Sequence, residues 1–75
     1  MTCESLRPRI LSSLQLEAEG IIAKAKTNVE VYLHNPVGIG EHPDIVAAIQ
    51  EQLDVIAEQE ERISVLNKHF VEHTH

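Results

Sequence analysis

His34-Asn35-Pro36-Val37-Gly38-Ile39-Gly40-Glu41-His42-Pro43 is the one compact breaker segment of the chain, and it separates two helical patterns of nearly equal length. Asn35 precedes Pro36, whose ring pushes it out of the helical region. Gly38 and Gly40 then free the backbone on both sides of Ile39. The segment predicts an all-α, two-helix antiparallel hairpin with helices over about 5–34 and 43–72. Residues 1–75 read as a single domain with frayed ends at 1–4 and 73–75.

On the N-terminal side, Ser5 caps the first helix and Pro8 falls in its first turn, where a missing N–H costs little. The apolar stripe runs Leu11, Leu14, Ala18, Ile21, Ala25, Asn28, Tyr32, with Ile22 and Val29 widening it. Gly20 interrupts the pattern, either as a tolerated cost of about 1 kcal/mol or as a point of close helix approach.

On the C-terminal side, His42 sits at the cap, Pro43 at the first helical position and Asp44 in the first turn. A seven-residue repeat follows: Ile49, Ile56, Ile63, Phe70. Val46 and Leu53 fill its companion position in the first two heptads, and Ile45 and Leu66 the neighbouring row. Gln52, Gln59 and Glu60 stand where apolar partners are expected. Antiparallel closure brings Leu33 opposite Ile45, Val29 opposite Ile49, Ala25 opposite Leu53 and Ile22 opposite Ile56. Leu14 then approaches Ile63 or Leu66, and Leu11 lies near Phe70.

A lone hairpin of 75 residues cannot bury both stripes, and Leu16, Val31, Val55 and Val65 stay poorly covered. Two hairpins forming an antiparallel four-helix bundle cover most of them, so the expected partner is a second copy. The expected interface is Leu14, Leu16, Ile21, Val55, Ile63 and Val65. Asn28, Gln52, Gln59 and Glu60 either set register inside that bundle or, for Gln59 and Glu60, stay solvated at a groove edge.

Charge bears on the choice of partner. Residues 1–33 balance four acids against four bases, whereas 34–75 hold eight acids against Arg62 and Lys68, giving a net charge of −6. An acidic second half repels nucleic acid and favours basic partners. With Tyr32 and Phe70 the only aromatics, base stacking has little to work with either. No apolar run is long enough to span a bilayer, and Met1–Ile10 lacks the apolar stretch of a signal peptide. Cys3 is the only cysteine, which rules out a disulfide within the chain and points to a reducing cytoplasm.

No catalytic constellation emerges, so the expectation is a non-enzymatic protein without a cofactor. His69 and His73 share a helix face and, with His75 or Glu72, offer an alternative metal site. They equally suit the negative end of a helix dipole. The carboxylates of the second helix lack the inward Glu-x-x-His pairs of di-iron bundles. His34, Glu41 and His42 cluster at the turn, but a short loop on two helices encloses no pocket. Gly38-x-Gly40 has neither the preceding strand nor the lysine of a phosphate loop.

Two surfaces remain as candidate partner sites. Glu51, Asp54, Glu58 and Glu61 form one stripe that serves as a solubilising face or as a dock for a basic protein, with mimicry of DNA as a further alternative. The turn carries Val37 and Ile39, two aliphatics that a plain connection does not need.

The run Asn35-Pro36-Val37-Gly38-Ile39-Gly40-Glu41-His42-Pro43-Asp44-Ile45, with the acidic helix after it, resembles small uncharacterised proteins encoded by tailed phages of marine bacteria. That resemblance implies an accessory protein that binds something in the host cytoplasm. It implies no functional residues.

Overall fold

A computed structural model describes residues 6–34 and 44–71. Helix α1 spans Leu6–His34 and helix α2 spans Ile45–His69, and the two pack against each other. The described residues contain no strand. Val37 and Ile39, like Ser5, Glu41, His42 and His73, lie outside the described residues.

The start of α2 differs from the expectation. Asp44, not His42, is the cap: its side chain accepts the Ala47 amide at 3.0 Å, and the helix begins at Ile45. Aspartate is among the strongest N-cap residues because its carboxylate satisfies a free amide of the first turn and meets the positive end of the dipole. The other end also closes early. α2 stops at His69, and the Phe70 amide donates to the Leu66 carbonyl at 2.9 Å.

Two cross-links define an antiparallel register. Arg7 Nη2 donates to the Phe70 carbonyl at 2.8 Å, and Asn28 Nδ2 donates to Gln52 Oε1 at 3.2 Å. The first satisfies a carbonyl that the end of α2 leaves free and sets a cation at the negative pole of that helix. Level positions therefore have residue numbers adding to between 77 and 80, the spacing expected from closing the hairpin.

The rotation of α2 about its axis is where the expected pairing fails. Leu53 and Val46 are exposed, and the row turned toward α1 is Ile45, Gln52, Gln59, Leu66 beside Ile49, Ile56 and Ile63. Gln59 is only 5% exposed, so it is not solvated at a groove edge, whereas Glu60 is. The rows explain the choice. Bringing Val46 and Leu53 inward would carry Glu60 with them, and an unpaired carboxylate is far harder to bury than a neutral amide.

On α1 the closest approach is made by Ala18 and Ala25, the only buried apolar residues among those described. Around them Leu11, Ile22, Val29 and Tyr32 are half-buried. The molecule measures 56 × 25 × 16 Å, the depth of a single helical layer. Its radius of gyration of 17.2 Å compares with about 11 Å for a compact fold of this length.

Gly20 serves no close approach within the hairpin: a Cβ placed there meets nothing within 4 Å, and the position is exposed. Gly20→Ala should therefore raise stability by about 0.5–1 kcal/mol, the helix-interior cost of glycine. Urea unfolding followed by helical circular dichroism measures this; a loss of stability would show that something packs on Gly20 in the working assembly.

Candidate interaction face

Some of the apolar side chains that the hairpin fails to cover stand together on one side of it, whereas Val46 and Leu53 belong to the α2 row turned the other way. Leu6, Ile10 and Leu14 recur every four residues on α1 and are all exposed. Ile21 continues their line seven residues further and is half-buried. With Arg9, Ser13 and Glu17, the first three surround an open hollow of about 320 Å³. A second hollow, about 340 Å³, lies between Ile21, Lys24, Ala25 and Asn28 on α1 and Gln52 and Val55 on α2. Between the two is a small cleft of about 70 Å³ lined by Leu14, Ala18, Arg62, Ile63 and Leu66.

The second hollow and the small cleft adjoin the seam. Alanines at 18 and 25 let the helices approach but fill little of the groove beside them. The result is one long, shallow, mainly apolar face with charges set into it.

Of the expected interface residues, Leu14, Ile21, Val55 and Ile63 line this face together. Val65 is on its α2 border, one heptad beyond Glu58, and is 39% exposed. Leu16 is separate: it lies about 200° around α1 from Leu14 and is 63% exposed. Leu6 and Ile10 belong to the face but were not singled out from sequence. Their signal was the four-residue spacing Leu6, Ile10, Leu14, which runs beside the main stripe.

The acidic stripe borders the same face. Glu51, Asp54, Glu58 and Glu61 are all exposed along α2. Glu58 pairs with Arg62 at 3.5 Å one turn on, a bond between exposed groups that contributes only a few tenths of a kcal/mol. Arg62 thus places one positive charge at the edge of an otherwise acidic surface.

Among the described residues, those weighed for chemistry do not converge. His34 is at the exposed end of α1, with its Nδ1 2.8 Å from the Glu30 carbonyl. His69 is exposed at the end of α2, with its ring edge-on to Phe70 at 6.2 Å. Among the described residues no three His, Cys, Asp or Glu side chains are grouped to hold a metal ion.

The least expected feature is Gln59. Its Oε1 is buried with no hydrogen-bond partner among the described residues. Such an oxygen carries a desolvation cost of about 1–3 kcal/mol.

No family model, curated protein or solved structure matches this chain.

Gln59→Leu removes the unpartnered oxygen and keeps the volume. It should raise the urea midpoint, by about 1 kcal/mol or more in stability. A lower midpoint would reveal a donor that reaches Gln59 only in the assembled protein.

Proposed function

We propose that this chain is a non-enzymatic interaction module whose working unit is a homodimer of hairpins, joined as an antiparallel four-helix bundle. The observation that carries this reading is the uncovered apolar face. Among the described residues ten large hydrophobic side chains are exposed, against two small ones buried, and of the ten Leu6, Ile10 and Leu14 lie on this face with Val65 at its border.

Surface area supports the same conclusion. The chain exposes 6145 Å², roughly 1,500 Å² more than the ~4,600 Å² expected of a compact monomer of its mass. A standard protein interface removes about 800 Å² per partner, so a second copy on this face accounts for much of the excess. A four-helix bundle is also the simplest way to turn a single helical layer into two layers around one core.

In such a dimer Asp54 and Glu61 stay on the outer border of α2 in both copies, presenting two acidic stripes to a basic protein. The site of action we infer is the cytoplasm. No helix among the described residues is long and apolar enough to cross a membrane.

Sedimentation equilibrium across concentration, with and without chelator, tests the proposal. The expected result is a species of twice the 8.4 kDa chain mass that is indifferent to chelator. A monomer at every concentration, or an assembly that chelation dissolves, would overturn it.

A further inference from the structure

We infer that in the dimer each α1 packs on the partner's α2, with the two-fold axis parallel to the helices, and that Glu17, Lys24 and Arg62 select this arrangement. The inference rests on the dimer proposed above and goes on to specify how the copies meet.

Two isologous arrangements bring this face against its own copy. With the axis perpendicular to the helices, α1 lies on α1 and α2 on α2. With the axis parallel to them, each α1 lies on the partner's α2. The first sets the two acidic helices side by side, with Glu51 and Glu58 of each near the shared border. Like charges so placed are destabilising. The second sets each acidic α2 against an α1 in which Arg7, Arg9, Lys24 and Lys26 outnumber Glu17, Glu19 and Glu30.

The parallel-axis arrangement also fixes the register. Rotation about an axis parallel to the helices preserves height, so α1 meets the partner's α2 at the same levels as it meets its own. The Asn28–Gln52 and Arg7–Phe70 bonds mark those levels. Glu17 then comes level with Arg62 of the second copy. Lys24 falls midway between the second copy's Glu51 and Glu58, within about one helical turn of each.

Glu17, Lys24, Glu51, Glu58 and Arg62 are all exposed, and among the described residues the one ion pair that involves any of them is Glu58–Arg62. Glu17 lines the hollow beside Leu6, Ile10 and Leu14, and Lys24 lines the one beside Ile21 and Val55. The charges thus stand within the apolar face that the second copy covers. Ile10 and Leu14 on one side, and Val55 and Ile63 on the other, supply the apolar contact between them.

The test is a charge exchange between copies, read as dimer fraction by native mass spectrometry and sedimentation velocity, with helicity checked for each variant. Glu17→Arg and Arg62→Glu should each weaken the homodimer at least tenfold. Mixed together, the two variants should form a heterodimer, because both cross-pairs become opposite in sign. Failure of that mixture to associate, while the unaltered chain dimerises, would overturn the arrangement and leave the dimer standing. Glu17→Arg mixed with Lys24→Glu is the counter-test: rescue there would place α1 on α1 and equally overturn it. If the unaltered chain is monomeric at every concentration, the dimer and its arrangement fall together.

Discussion

The thinness of the seam between the two helices governs the rest of the molecule. On α1 its closest points are alanines, and on α2 the middle of the facing row is two glutamines. A buried alanine methyl contributes roughly 0.8 kcal/mol, about a third of what a buried leucine or isoleucine gives. The seam therefore aligns the helices without providing a core. The single-layer depth, the open hollows and the exposed row Leu6, Ile10, Leu14 are consequences of that shortage.

How far the fold was legible in the sequence depends on the level. The two helices were legible because proline and glycine act locally, whatever the rest of the chain does. The register was legible too, since a short connection between long helices leaves little freedom. The rotation of α2 was not. Ile45 with Leu66, and Val46 with Leu53, offer equal numbers of apolar residues on either side of Ile49, Ile56 and Ile63. Hydrophobic counting cannot separate two such rows. The difference lies in what each row drags inward at its centre, Gln59 or Glu60, and the desolvation cost of a carboxylate decides it.

The candidate face was half legible for a related reason. Leu14 and Ile21 were found because they belong to the main stripe, and Val55 because a lone hairpin leaves it poorly covered. Leu16 was grouped with them because it was apolar and uncovered. Grouping by exposure alone ignores direction, and a residue two positions from Leu14 faces the opposite side of a helix. Leu6 and Ile10 went unnoticed because they lie where the main stripe has faded. The cap of α2 was ambiguous for a simpler cause: His42 and Asp44 both stand near Pro43, and only the carboxylate has the geometry to hold the Ala47 amide.

Polar groups in the seam make sense if the chain, as proposed, completes its core by association. Glutamine at 52 bonded to Asn28 marks one register. Sliding α2 so that Ile45 comes level with Asn28 would break that bond, whereas the opposite heptad shift would offer Gln59 in place of Gln52. A seam of leucines would be more stable and less particular, since every heptad shift would look alike. The same logic applies to the outer face. Glu17, Lys24 and Arg62 weaken its apolar character, which limits indiscriminate association of single hairpins, and a partner that matches their signs recovers the loss. Stability and specificity are thus divided in the proposed dimer: amides in the seam fix how one chain folds on itself, and charges on the open face select what covers it.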